Sequence, residues 1–192
     1  MNQHTPLEFG LYTLGDHLMN PENGTKLSYE QRIRQIIEMS QLAEQAGLDV
    51  FAVGESHQEH FTTQAHSVVL GATSSMKISS SSSIISAADP VRVFEDFATL
   101  DLISRGRAEL VAGRGSRTGL FELFGLDIND YDALFEEKLD LLMQLNANDR
   151  ITWSGQFRPD LHNMKIFPRP VDDYLPIWRA VGGTTTECYQ SG

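Results

Sequence analysis

The sequence predicts an α/β fold in which about five parallel strands alternate with helices. Short apolar segments alternate with longer segments whose apolar residues recur at helical spacing, which is the pattern of βαβ units. The apolar segments end in glycine or polar residues, as strands do where loops begin. Hydrophobic residues make up 41% and charged residues 21% of the 192 positions, the composition of an ordinary folded domain. This order fits either a doubly wound sheet or part of a (β/α)8 barrel, because a complete barrel takes about 250 residues.

The first βαβ unit is predicted near the N-terminus. A strand is expected over residues 7–14 and a second one over residues 48–55. Between them, Ser28 and Gln31 form a capping-box pattern, and Gly47 supplies the C-terminal stop of a helix. The two strands are therefore expected to lie parallel in one sheet.

The rest of the chain continues this alternation. A third strand is expected over residues 76–86, but Ser79 to Ser83 occupy its middle. Because serine contributes little to burial, we expect a soft edge of the fold there. Asp89 is placed to cap the next helix, with Pro90 at its first position. The remaining predicted elements are a strand over residues 108–112, a helix capped by Asp130, a small hairpin at 151–158 around Ser154 and Gly155, a fifth strand over residues 176–183, and a helix that starts at Thr184.

Charge and cysteine content argue against several classes of protein. The net charge of −11, from 26 acidic and 15 basic residues, argues against nucleic acid or an anionic membrane as partner. Cys188 is the only cysteine, so the chain forms no internal disulfide, which fits a reducing compartment. The N-terminus lacks a signal-peptide pattern, and no apolar run approaches the roughly 20 residues of a membrane span. We therefore expect a cytoplasmic protein with a single domain over residues 1–192.

Two strand ends carry the features of an anion site. Gly113 and Gly115 flank Arg114, so a ligand can approach the backbone closely and meet a planar, permanently charged group. Gly182 and Gly183 precede a helix start, where free backbone N–H groups favour an anion. A surface turn with a solvated arginine and a plain βα turn are the alternatives. No P-loop or dinucleotide-binding glycine motif occurs in the right place.

A cluster of histidines and glutamates follows the second predicted strand. Its members are Glu55, His57, Glu59, His60 and His66. Imidazole and carboxylate are ordinary zinc ligands, but the spacing matches none of the tight zinc signatures. A histidine at a strand end can instead donate a proton or a hydrogen bond to a substrate. No base in the sequence activates Cys188, which is interpreted as an inert thiol.

Taken together, several of these segments resemble the bacterial luciferase-like family of flavin-dependent monooxygenases. The matching stretches are residues 9–16, 46–55, 89–101, 104–115 and 180–184. The stretch from Ser104 to Gly115 is the most specific of them. The matches follow the family's order along nearly the whole chain.

The resemblance implies a (β/α)8 barrel of the TIM-barrel family that binds reduced FMN, activates O2 and oxygenates a small organic substrate. It places Arg114 on the flavin phosphate, and the turn at Ser86 and Ala87 against the flavin ring, often with an unusual peptide bond. Residues at the end of the fifth strand and in the helix that follows are expected to share the cofactor: Gly182, Gly183, Thr186, Glu187 and Cys188. It also implies a homodimer and a flavin reductase as partner. FMN is the expected cofactor, and a deazaflavin is the alternative.

The sequence departs from the family in ways that affect function. Ser56 replaces the histidine that is tied to catalysis in bacterial luciferase, which leaves His57 with Glu55 as the candidate catalytic pair. Gly113 replaces the reactive cysteine of luciferase. The third strand is largely serine, and strands six to eight are absent from these 192 residues. We therefore expect a truncated member with an incomplete barrel and two open sheet edges. The alternatives are a non-catalytic flavin-binding or interaction remnant, and a metal-dependent hydrolase that uses His57 and His60.

Overall fold

The structure is a computed structural model that describes residues 6–62, 69, 71–115 and 118–182. Five parallel strands form one sheet in the order β1-β2-β3-β4-β7. Their bounds are β1 Gly10–Thr13, β2 Val50–Val53, β3 Lys77–Ile84, β4 Ala108–Gly113 and β7 Ile177–Arg179. The α/β fold with five parallel strands is thus confirmed, with the first and fifth predicted strands at the two ends of the order. A complete (β/α)8 barrel has eight strands, so the described residues form part of one.

Helices and a small antiparallel pair of strands make up the rest of the described chain. The helices are α1 Tyr29–Gln45, α2 Pro90–Ser104, α3 Thr118–Leu123 and α4 Tyr131–Ala147, with 3-10 turns at Ile85–Ala87 and Ile128–Asp130. Strands β5 Arg150–Trp153 and β6 Leu161–Lys165 pair with each other. No helix in the described part of the chain is long and apolar enough to cross a membrane.

The chain divides into two compact units, the first ending at Ser80 and the second beginning at Ser81. In the first unit, the predicted capping box begins α1: Ser28 Oγ accepts from the backbone N–H of Gln31, whose side chain accepts from the backbone N–H of Ser28. Ile36 on α1 and Phe51 on β2 are fully buried. Parallel pairing then sets Phe51 beside Ile78 of β3.

The second unit has a core between its strands and the helices α2 and α4. Leu110 and Ala112 of β4 belong to one buried cluster with Phe94 and Phe97 of α2 and Phe135 of α4. The start of α2 is as predicted, because Asp89 accepts from the backbone N–H of Val91 and Pro90 occupies the first turn. The core thereby holds α4 over the carboxyl end of β4.

The serine-rich stretch is a well-formed inner strand rather than a soft edge, so that expectation is wrong. Ser79, Ser80 and Ser83 are buried, and β3 lies between β2 and β4 in the sheet order. A strand is held by its backbone ladder, and small side chains are tolerated where neighbouring strands supply that ladder on both sides.

Two local predictions also differ from the structure. The Asp130 side chain makes no capping hydrogen bond to α4; instead Asp127 accepts from the backbone N–H of Asn129 at 2.9 Å and caps the preceding 3-10 turn. The predicted hairpin around Ser154 and Gly155 is longer, because β5 pairs with residues 161–165. The carboxylate of Glu137 explains this, since it accepts from the backbone N–H groups of Gln156 and Phe157 and holds the connecting loop open.

Candidate functional site

Arg114 lies at the carboxyl end of β4, where the sequence predicts an anion site. Ala108, Leu110 and Ala112 of this strand are buried on one face. Because side chains alternate between the two faces of a strand, Arg114, two residues after Ala112, lies on the same face. Its side chain is only 13% exposed and donates from Nη1 to Asp132 Oδ1 at 3.1 Å. The guanidinium carbon lies 5.5 Å from the ring centroid of Phe135 on α4. Arg114 is therefore held against α4 and is not a freely solvated turn residue.

Gly113 and Gly115, on either side of Arg114, are required for different structural reasons. A Cβ added to Gly113 would meet Ser82 of β3, whose own Cβ would be only 2.8 Å away. Gly115 has φ +82°, a conformation that L side chains rarely adopt, so the turn after Arg114 requires glycine. Gly113 thus reflects close packing of two strands, and Gly115 reflects the backbone path.

A second arginine, Arg179 at the end of β7, reaches the same aromatic ring. Pairing between β4 and β7 sets Arg179 level with Ala112, on the face of the sheet that carries Arg114. Its guanidinium carbon is 5.3 Å from the Phe135 centroid, and Nη1 donates to Glu136 Oε2 at 3.0 Å. Sequence reasoning missed Arg179 because the register between β4 and β7 cannot be read from one strand alone. The available signal was an arginine inside an otherwise apolar strand.

The turn at Ser86 and Ala87 follows β3 as a 3-10 turn in the second unit. Ser86 is completely buried, its Oγ has no hydrogen-bond partner among the described residues, and its carbonyl accepts from Lys138 Nζ at 2.6 Å. Lys138 of α4 is itself buried. Desolvation lowers its pKa from 10.5, partly opposed by the negative charges of Asp89 and Glu137. The role of Lys138 carried no sequence signal, since lysine is usually exposed.

The unusual peptide bond that the resemblance implies lies elsewhere in the chain. The non-proline cis bond joins Ser81 to Ser82, inside β3. The resemblance placed it around the turn at Ser86 and Ala87, so that placement is wrong.

Glu55 and His57 lie in the first unit, directly after β2. Their side chains are 9% and 17% exposed, and His57 Nε2 lies 2.6 Å from Glu55 Oε1. The predicted pair is therefore formed. The backbone carbonyl of the neighbouring His60 accepts from the backbone N–H of His17 at 2.6 Å.

The described part of the structure does not support the interpretation of this cluster as a metal site. Within residues 6–62, 69, 71–115 and 118–182, no three His, Cys, Asp or Glu side chains are grouped to hold a metal ion. His66 lies outside those residues.

Several predicted cofactor residues also lie outside the described part of the chain. They are Gly183, Thr186, Glu187 and Cys188. Gly182 is described, and a Cβ built on it would have no described residue other than its chain neighbours within 4 Å.

Comparison with known proteins identifies the family to which this chain belongs. A profile of the luciferase-like monooxygenase family matches residues 7–187. The chain belongs to that family. A relative from Sinorhizobium fredii, the uncharacterized protein y4vJ, is 26% identical over 97% of this chain and 54% of its own length. The alkanal monooxygenase alpha chain of Photorhabdus laumondii is 28% identical over 58% of this chain and 32% of its own length.

Solved structures share the fold. The monooxygenase RslO1 from Streptomyces bottropensis has a TM-score of 0.80 at 19% identity, over 90% of this chain and 53% of that one. The oxygenating constituent of 3,6-diketocamphane monooxygenase from Pseudomonas putida, in complex with FMN, has a TM-score of 0.75 at 16% identity. The match covers 91% of this chain and 51% of that one. An F420-dependent secondary alcohol dehydrogenase has a TM-score of 0.68 at 20% identity, over 90% of this chain and 51% of that one. The chain thus spans about half the length of y4vJ and of these structures.

Proposed function

We propose that the protein is an FMN-dependent oxidoreductase of the luciferase-like class that uses reduced flavin and O2 to oxygenate a small organic substrate. The placement of Arg114 at the end of β4 carries this proposal. Its permanent charge is held in a mostly buried position beside Gly115, where a phosphate can meet both a guanidinium and a close backbone. Reduced FMN, when bound, supplies the electrons that activate O2.

The residues around Arg114 suit a flavin phosphate. Asp132, the carboxylate that now accepts from Arg114, is 78% exposed, so water can solvate it when a phosphate takes its place. Phe135 and Tyr131 pack against the guanidinium and limit its freedom before the ligand arrives. The chain's own contribution would therefore be to orient the phosphate with little loss of side-chain entropy.

The Glu55–His57 pair is proposed to move a proton during turnover. A carboxylate that binds one imidazole nitrogen selects the ring's tautomer and orientation, which is what a general acid or base requires. Because Ser56 stands next to it instead of a second histidine, His57 is the imidazole available for this role in residues 55–57.

Titration with FMN, followed by flavin fluorescence, tests the proposal. Arg114→Ala should weaken binding at least about tenfold, because a charge-assisted hydrogen bond contributes about 1.5–3 kcal/mol. Arg92→Ala is the matched control, since Arg92 is a 75% exposed arginine of α2. Circular dichroism of both variants separates loss of binding from loss of folding. Absence of saturable binding by the unmodified protein would overturn the flavin proposal.

Two alternatives are separated by further measurements. If FMN binds but no substrate is oxygenated in the presence of NADH and a flavin reductase, the non-catalytic flavin-binding remnant is favoured. Because one solved structure of this fold is F420-dependent, the same titration is run with a deazaflavin. The homodimer, the reductase partner and the cytoplasmic location stay predictions. The metal-dependent hydrolase is not supported by any grouping of the described ligating side chains.

A further inference from the structure

We propose that Arg179 is a second phosphate-binding arginine, and that together with Arg114 it makes the site selective for a phosphate monoester dianion such as that of FMN. This rests on the proposed flavin function and deepens it. Two mostly buried guanidinium groups, one at the end of β4 and one at the end of β7, lie against the single ring of Phe135.

The geometry follows from the strand register. Ala112 and Arg179 are partners in the ladder, and the backbone N–H of Ala180 donates to the carbonyl of Ala112 at 2.9 Å. Arg114 is two residues beyond Ala112 and on the same face of the sheet. The backbone positions of the two arginines are therefore offset by two residues along the strand direction, about 6–7 Å. The two guanidinium carbons lie 5.5 and 5.3 Å from the same ring centroid, and in the proposed site they bind different oxygens of one phosphate.

Both arginines are paired with carboxylates that are much more exposed than the arginines themselves. Arg114 and Arg179 are 13% and 16% exposed, whereas their partners Asp132 and Glu136 are 78% and 52% exposed. The two acids are one turn apart on α4, so they form a matched row opposite the two arginines. Burial makes the arginine charges require a partner. Asp132 accepts from Arg114, and Glu136 accepts from both Nη1 and Nη2 of Arg179. Both carboxylates are exposed enough for water to solvate them when a phosphate dianion replaces them. The present ion pairs therefore occupy places that a stronger anion can take.

Arg179 also has hydrogen-bonding capacity that Glu136 does not use. Its Nε is buried and has no hydrogen-bond partner among the described residues. A guanidinium presents donors on a planar fork, and a tetrahedral phosphate offers more acceptor directions than one carboxylate. A phosphate monoester carries close to two negative charges at neutral pH, since its second pKa is about 6. A phosphodiester carries one negative charge and offers two terminal oxygens, where a monoester offers three. Two arginines therefore favour the monoester.

The experiment measures dissociation constants for FMN, riboflavin and riboflavin 4′,5′-cyclic phosphate, which keeps the flavin ring but carries a singly charged phosphodiester. Arg179→Met should weaken FMN binding at least about tenfold, weaken the cyclic phosphate less, and leave riboflavin unchanged. Glu136→Gln should strengthen FMN binding severalfold, because the competing carboxylate is gone while the side-chain shape is kept. Glu122→Gln, at an exposed glutamate of α3, is the control for the charge change alone.

Each outcome decides the proposal. If Arg179→Met and Glu136→Gln leave the ratio of FMN to riboflavin affinity at its original value while Arg114→Ala lowers it, Arg179 is only structural and the proposal is overturned, but the phosphate site at Arg114 stands. If the unmodified protein does not bind FMN, the proposed function fails as well. Should Arg179→Met fail to fold, Glu136→Gln decides the matter: stronger FMN binding supports a phosphate-binding Arg179, and unchanged binding overturns it.

Discussion

Ser82 fills the space that a side chain at Gly113 would need. The Cβ of Ser82 would lie 2.8 Å from a Cβ built on Gly113, and the Ser82 hydroxyl would lie closer still. The two residues belong to neighbouring strands, β3 and β4, at the end of the sheet where Arg114 follows. Glycine at this position, where luciferase carries its reactive cysteine, therefore matches the serine beside it.

Gly113→Ala should lower the free energy of unfolding by about 1–3 kcal/mol, because the added methyl group overpacks the contact with Ser82. Chemical denaturation measures the change. Gly119→Ala in α3 is the control, because no described atom outside the helix backbone lies within 4 Å of the added Cβ. Alanine in a helix should stabilise the fold by about 0.5–1 kcal/mol. The double variant Ser82→Gly/Gly113→Ala should recover part of the loss. Equal effects of both alanines would contradict this account.

Lys138→Met should destabilise the second unit by about 1–3 kcal/mol at neutral pH, because the buried carbonyl of Ser86 loses its donor. The pH dependence gives a sharper test. Because the folded-state pKa of Lys138 is lowered by desolvation, the unfolded chain binds more protons, so the unmodified protein should gain stability relative to Lys138→Met as pH rises towards 10.5. Thermal unfolding in alkaline buffers measures this gain. Lys26→Met, at an exposed lysine, should show neither effect.

Glu44→Gln should reduce the loss of folding stability that the first unit shows as the pH falls. Partial burial raises the pKa of Glu44, but hydrogen bonds from the backbone of Ser75, Met76 and Ser74 outweigh it and lower the pKa from 4.5 to about 2. The carboxylate therefore stabilises the fold above pH 4.5, and this contribution is lost as the pH falls towards 2. We expect the variant to be less stable by about 1–2 kcal/mol at neutral pH.

The measurement for Glu44→Gln is urea unfolding across this acidic range, with Glu38→Gln at an exposed position of α1 as control. The difference between Glu44→Gln and the unmodified protein should shrink as the pH falls. A difference that stays constant with pH would show that the hydrogen bonds do not depend on the charge of Glu44.

Glu55→Gln should lower turnover while leaving FMN affinity unchanged. The amide keeps the shape of the carboxylate but cannot stabilise a positive imidazolium on His57, and general acid–base catalysis contributes about 10²–10⁴-fold. Single-turnover kinetics with reduced FMN and O2 measures the effect. Glu59→Gln, at an exposed glutamate in the same segment, is the control. An unchanged rate for Glu55→Gln would remove the pair from the mechanism.

Local sequence patterns were sufficient to predict much of the fold. The capping residues Ser28 and Asp89, the alternation of strand and helix, and the position of Arg114 at a strand end all follow from short-range rules of backbone conformation and burial. The Glu55–His57 contact could also be predicted, because only Ser56 separates the two residues in the sequence. The serine-rich strand was misjudged, since side-chain composition does not report the neighbours that complete its ladder.

By itself, then, the sequence determined the five parallel strands, the long helices between them and the charge at the end of β4. Only the tertiary structure decided that Arg179 lies level with Ala112, that Lys138 holds the carbonyl of Ser86, and that Ser82 excludes a side chain at Gly113. Each of these relationships depends on the register between strands or on the helix face that packs over the sheet. Register and packing are set by the sum of many distant contacts, and no short stretch of sequence contains that sum.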